Sequence, residues 1–276
     1  MTTNKITLLL LVLTGLAEIS VSAAAPANVA PRAIDVGSRK QLFVDRHLVE
    51  SSRDVTLSMH SPRRDGRVLI TADQPWEKDC HVLVYSSVVK DRGKIRVWYD
   101  LFKRTGPGPY DHLRMVAYAE SADGVHFVKP KLGLHALAGS KQNNIVLPDK
   151  IGGCAVWIDS RAPAEHRYKT QAKVYPTGEF HMHSSPDGLK WTLFSKPHPG
   201  PGGHDTQSIV FWDPAVKRYA LFTRFWAHHS DKIRRYRTVR RLETNDLKAG
   251  KWQKESIVMA PDVRDRATHK TPGRQP

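Results

Sequence analysis

The sequence predicts an all-β protein built from four-stranded units, on the plan of a β-propeller. Three observations predict it. Short apolar runs alternate with turn residues, and 18 glycines and 18 prolines are scattered among them. A turn motif recurs, Ser121-Ala122-Asp123-Gly124-Val125-His126-Phe127 returning as Ser185-Pro186-Asp187-Gly188-Leu189-Lys190-Trp191. Finally, similar strands precede each copy in the same order. A β-sandwich also has many short strands, but it does not repeat a turn in phase with them.

The repeated turn has a physical logic. Serine and aspartate oxygens accept hydrogen bonds from the turn backbone, glycine supplies a positive φ, and the following ring plugs the sheet beneath. A worn third copy is Thr244-Asn245-Asp246, with Trp252 in the aromatic position. Upstream of the turns lie Lys94-Ile95-Arg96-Val97-Trp98-Tyr99, Arg167-Tyr168-Lys169-Thr170 and Arg218-Tyr219-Ala220-Leu221-Phe222. Each follows another apolar strand that ends in a turn: Asp91-Arg92-Gly93, Asp159-Ser160-Arg161-Ala162-Pro163, and Asp213-Pro214. The unit reads strand, turn, strand, longer loop, strand ending in the motif, strand, which is one propeller blade.

The ends read differently. Lys5, the apolar run Ile6 to Val12 and the small residues up to Ala25 read as a secretory signal peptide over 1–25, too short to span a bilayer. Residues 26–75 are expected to form an extended segment packing on the propeller, 76–262 the blades, and 263–276 an unstructured basic tail. No stable membrane insertion is expected after signal cleavage, so the protein is expected to be secreted or periplasmic. Export permits a disulfide between Cys80 and Cys154, although two buried thiols would give the same sequence. A net charge of +16 on an exported chain points to anionic glycans rather than nucleic acid.

Several stretches resemble the exported bacterial relatives of the five-bladed propeller glycoside hydrolases (invertase, levansucrase and arabinanase). They are Gln41-Leu42-Phe43-Val44-Asp45, Lys94 to Tyr99, Tyr118 to Gly124, Asn143-Asn144-Ile145-Val146-Leu147, and Asp205 to Asp213. The resemblance implies a five-bladed ring. The sequence supplies three recognisable blades and a remnant after Trp252, so the ring is expected to be incomplete, with about three to four blades, and the chain truncated. A truncated ring is expected to be inactive.

Glycosidic hydrolysis needs one carboxylic acid on the leaving oxygen and a second carboxylate to attack or to activate water. The resemblance places such acids where innermost strands begin. This makes Asp79, Asp205 and Glu77 the catalytic candidates, with Trp76, His204 and Gln207 as substrate-binding neighbours. Arg235, Arg237 and Arg241 would share one strand face, suited to carboxylate or sulfate groups, so Arg235 and Arg237 join the substrate-binding set. His181 and His183 also share a face, but no third ligand is near, and no metal is expected. No Gly-rich phosphate loop is present and no cofactor is expected. The family's W-x-N-D-P-N-G, R-D-P and E-C signatures are absent as well. The function expected is therefore a glycoside hydrolase-like propeller that acts on or binds a polysaccharide outside the cytoplasm. The alternative is a non-catalytic propeller binding anionic glycans.

Overall fold

A computed structural model describes residues 34–37, 42–43, 46, 48–58, 60–64, 66–148, 150–196, 207–228 and 235–261, with Arg235 described for its backbone alone. Residues 1–65 and 66–276 divide into two units by their contacts. The described residues of the first unit form neither helix nor strand. No helix among the described residues is long and apolar enough to cross a membrane.

The second unit holds three four-stranded antiparallel sheets. The first contains β1 (His81–Asp91), β2 (Lys94–Arg104), β3 (His112–Ser121) and β4 (Ile145–Leu147). The second contains β5 (Ile151–Ile158), β6 (Tyr168–Val174), β7 (Phe180–Ser185) and β8 (Thr192–Ser195). The third contains β9 (Ile209–Asp213), β10 (Arg218–His228), β11 (Arg235–Thr244) and β12 (Gln253–Met259). Strand order follows chain order within every sheet. The first strands are neighbours, β1 beside β5 and β5 beside β9. This is the blade arrangement that the sequence repeat predicts.

Sheet faces pack on one another through two apolar layers. Trp98, Val116 and Tyr118 of the first sheet meet Cys154, Tyr168 and Ala172 of the second, with Trp191 against them. Phe180 and Met182 meet Val210, Leu221 and Leu242 of the third sheet, with Trp252 against them. A third layer (Val97, Tyr99, Leu101, Met115, Ala117) lies on the other face of the first sheet, under Ile70, Cys80 and Phe127. The aromatic after each motif copy therefore fills the layer on its own sheet's earlier side.

The repeated turns are closed as their residue types demand. Ser121 Oγ accepts from Gly124 N at 2.9 Å, and Asp123 Oδ1 accepts from Val125 N and His126 N at 2.8 Å each. Ser185 and Asp187 repeat the pattern with Gly188, Leu189 and Lys190. Asp246 holds Lys248 N and Ala249 N likewise. Gly188 has φ 75°, and a β-carbon there would lie 2.7 Å from the Trp98 ring. The close approach lets Trp98 Nε1 donate to Gly188 O at 2.7 Å, and Arg96 Nη2 donates to Asp187 O at 2.6 Å. The motif is thus both a turn and a clamp on the preceding sheet.

A second device joins the sheets. Tyr168 donates its hydroxyl to Asp91, at the β1–β2 hairpin, and Arg167 forms a bidentate pair with the same carboxylate. One sheet further on, Tyr219 donates to Asp159 Oδ2 at 2.9 Å, beside the buried Lys169–Asp159 pair at 2.8 Å. Each hairpin aspartate is therefore a latch for the tyrosine of the following sheet. Cys80 and Cys154 are free thiols, and burial raises the pKa of each.

Candidate functional site

The starts of β1 and β5, the end of β2 and the start of β3 meet at one lip of the sheet stack. Its centre is Arg114. Asp100 Oδ2 accepts from Arg114 Nε and Nη2 at 3.0 and 2.7 Å, and Tyr175 Oη accepts from Nη1 at 2.7 Å. The guanidinium lies 5.2 Å from the Tyr85 ring and 5.0 Å from the Tyr175 ring. Asp100 is fully buried. It also accepts from Gly153 N at 2.8 Å, which ties the first sheet to the second. Burial raises the carboxyl pKa of Asp100, against the opposing pull of Arg114. Its Oδ1 has no partner among the described residues.

Gly152 makes this arrangement possible. A β-carbon there would lie 2.1 Å from Arg114 Nε. His112 adds a ring 5.1 Å from Phe102 and 5.6 Å from Tyr175. Burial lowers the pKa of His112, and the charge of Lys150 adds to the effect. Lys150 Nζ itself donates to Tyr110 O at 3.1 Å and to His112 O. The lip is consequently aromatic, the half-buried Tyr85 and Tyr175 rings flanking the charge-paired Arg114. It can hold a sugar ring against a tyrosine face.

The residues singled out from sequence do not converge on one point. Glu77 belongs to a one-turn 3-10 helix, Pro75–Glu77, and is fully buried. Its Oε2 accepts from Asp73 N and Gln74 N at 3.1 Å each and from Lys129 Nζ at 2.6 Å, while Oε1 accepts from Tyr99 Oη at 2.8 Å. Trp76 Nε1 donates to Asn144 Oδ1 at 2.8 Å, and Asn144 Nδ2 donates in turn to Tyr99 Oη. Both residues therefore anchor the segment ahead of β1 onto the first sheet. Asp79 is solvent-exposed, has φ 62°, and pairs with Lys103 Nζ at 3.1 Å.

Gln207 lies at the junction of all three sheets. Its Nε2 donates to Ser86 O at 3.0 Å and to Cys154 O at 2.7 Å, which commits both amide hydrogens and leaves its carbonyl oxygen. Arg237 is exposed and lies 5.2 Å from the Trp226 ring. His204, Asp205 and the side chain of Arg235 lie outside the described residues, as does Asp45. His181 and His183 share a face, with rings 6.0 Å apart, and His181 bonds Glu179 at 2.8 Å. No cluster of three metal-ligating side chains occurs among the described residues.

Sequence reasoning missed Arg114, Asp100 and Tyr175. The available signal was Asp100 inside the apolar run of β2, since a buried acid demands a partner.

No family model matches the chain, and no curated protein matches it. Among solved structures it is similar to the Bombyx mori GH32 β-fructofuranosidase BmSUC1, with TM-score 0.45 and 13% identity, over 63% of this chain and 37% of that one. It is similar to the GH43 endo-arabinanase of Bacillus licheniformis, with TM-score 0.46 and 11% identity, over 74% of this chain and 69% of that one. It is also similar to an N-acetylgalactosamine deacetylase from F. plautii, with TM-score 0.46 and 13% identity, over 67% of this chain and 55% of that one. The chain spans little more than a third of the fructofuranosidase it matches. The fructofuranosidase and the arabinanase are five-bladed propeller glycoside hydrolases, the group that the sequence resembles.

Proposed function

We propose that this is a glycoside hydrolase-like protein that binds a polysaccharide outside the cytoplasm, at the lip around Arg114, without cleaving it. One observation carries the reading: the half-buried Tyr85 and Tyr175 rings flank Arg114 at the lip, while the acids ahead of β1 are spent. Glu77 is sealed and hydrogen-bonded on both oxygens, and Asp79 is paired with Lys103. A general acid or base needs a carboxyl group within reach of the substrate. Glu77 does not meet that requirement.

A hydrolytic reading rests on Asp79, whose side chain is 63% exposed just before the innermost strand, and on the sequence candidate Asp205, which lies outside the described residues. Two sets of variants separate the readings. In the binding reading, Tyr85→Ala weakens retention on a polysaccharide column, while Asp79→Asn and Asp205→Asn leave it unchanged and no reducing ends appear with any protein. Release of reducing ends by the wild type, lost in Asp79→Asn, establishes the hydrolytic reading instead.

A further inference from the structure

The two junctions between sheets follow one plan but are filled differently. Registered on their hairpins, Asp91–Lys94 of the first sheet, Asp159–Arg167 of the second and Asp213–Arg218 of the third coincide. Arg96 then corresponds to Lys169, Tyr118 to Met182 and Glu120 to Ser184. The receiving sheets match as well, Tyr168 with Tyr219 and Asp187 with Asp246. At the first junction Arg96 crosses the gap. Its guanidinium donates to Tyr118 Oη at 2.8 Å, to Tyr168 Oη at 2.5 Å and to Asp187 O at 2.6 Å. At the second junction the shorter Lys169 folds back instead, donating to Asp159 Oδ2 at 2.8 Å and to His166 O at 2.9 Å.

The space that the arginine fills at the first junction is left at the second as a cavity of about 200 Å³. Phe194, Pro163 and Leu247 give it apolar walls, and His166, Asn245 and Lys248 give it polar groups. His166 comes from the 3-10 turn Ala164–His166, which the tight β1–β2 hairpin lacks. Its Nδ1 meets Ser184 Oγ at 2.9 Å, which leaves the other ring nitrogen. The Asn245 side-chain amide and Lys248 Nζ have no partner among the described residues. Two carboxylates, Asp159 and Asp246, balance two ammonium groups, Lys169 and Lys248.

We propose that this cavity binds one neutral sugar unit, a terminal or branching residue of a glycan. Its C–H face lies on Phe194 and Pro163, and its hydroxyls meet His166, Asn245 and Lys248. Hydroxyls donate and accept, as do an imidazole and an amide. The volume is that of roughly six or seven waters at about 30 Å³ each, enough for a single ring. A guanidinium fits less well, since it would meet two lysines where Arg96 meets two tyrosine hydroxyls and a carbonyl. The inference rests on the polysaccharide reading in naming a sugar, and on the second junction alone in requiring a neutral ring.

The test titrates the full chain with methyl glycosides of glucose, galactose, mannose and xylose, and with glucuronate and glucosamine as charged counterparts, followed by amide NMR. At least one neutral glycoside is expected to shift the amides of residues 245–249 saturably, and to bind more tightly than either charged sugar. Asn245→Ala and Lys248→Ala, both exposed, are each expected to lower the affinity about fivefold. Lys169→Arg restores the filling of the first junction and is expected to abolish the shifts. Ala162→Trp, which closes the cavity without touching the Lys169–Asp159 pair, is expected to do the same. Tyr85→Ala at the lip leaves these shifts intact, so loss of the lip reading is distinguishable from loss of this one. Absence of saturable shifts with all four neutral glycosides overturns the proposal, as does tighter binding of a charged sugar. Binding unchanged in both Lys169→Arg and Ala162→Trp overturns it too.

Discussion

Replacing Gly152 by alanine tests whether the Arg114 lip is held by packing. The added carbon would lie 2.1 Å from Arg114 Nε, 2.6 Å from Cδ and 2.9 Å from Cγ, so the arginine must move. It has nowhere convenient to go. Its side chain is 8% exposed, it makes two hydrogen bonds to Asp100 and one to Tyr175, and its guanidinium lies between the Tyr85 and Tyr175 rings. Displacing it leaves a buried carboxyl group without its cation, a loss of roughly 3–5 kcal/mol when one partner of a buried pair is removed. The alanine returns about 0.5–1 kcal/mol through reduced backbone entropy. A net loss of roughly 2–4 kcal/mol follows, equivalent to a Tm lowered by roughly 5–15 °C for a unit of this size. Urea unfolding with unchanged m-value is the assay. The same substitution in an Arg114→Ala background is expected to cost less than about 1 kcal/mol, because every obstructing atom, Nε, Cδ and Cγ, is gone. A Gly152→Ala protein within about 0.5 kcal/mol of wild type would refute the reasoning, since Arg114 would then be free to yield.

Three further outcomes follow from the buried polar groups. Burial, then the charge of the neighbouring His181, lowers the pKa of His183 from 6.5 to about 4. The folded state thus binds its proton less readily than the unfolded chain does. Stability from this group is complete above 6.5 and is lost as pH falls toward 4, an effect on the order of 3 kcal/mol that His183→Gln should remove from the pH dependence of urea midpoints. The bidentate Arg167 holds the Asp91 carboxyl well below its ordinary value near 3.8, so its contribution is present above that value and is lost as pH falls through the lower folded one. Asp91→Asn should lower stability at neutral pH and flatten the acid limb, in melts taken down the acid range. Tyr219→Phe removes the hydroxyl that reaches Asp159 and should cost about 1 kcal/mol by the same assay, while leaving the Lys169–Asp159 pair in place.

Legibility from sequence followed the range of the interactions. Ser121, Asp123 and Gly124 close their turn within a few residues, so residue type and spacing were enough to read it, and to find its copy at Ser185. The worn copy at Thr244 was readable for the same reason, since Asp246 still gathers the backbone N–H groups that follow it. The hairpin aspartates show where such reading ends. Asp91 and Asp159 stand in turn-like strings, and locally each is a plausible hairpin residue. Their partners, Tyr168 and Tyr219, come from the next sheet, and no local pattern pairs them. Glu77 failed to declare itself for the same cause. An acid before an innermost strand resembles a catalytic group until Tyr99 and Lys129 arrive from distant positions and enclose it.

Repetition within one chain gives these sheets an internal control. Positions that must be filled alike to pack are filled alike: Tyr168 and Tyr219 at the latch, Asp91 and Asp159 as its acceptors, Trp191 and Trp252 over the apolar layers. Departures at matching positions are therefore informative, because packing alone did not impose them. The exchange of Asp100 and Arg114 for Arg224 and Arg237 is such a departure. Carried into the covered face of the first sheet, it would bury two guanidinium groups with no acid between them, which a low-dielectric interface does not tolerate. It stands instead on the face where Phe211 and Met259 remain solvent-exposed.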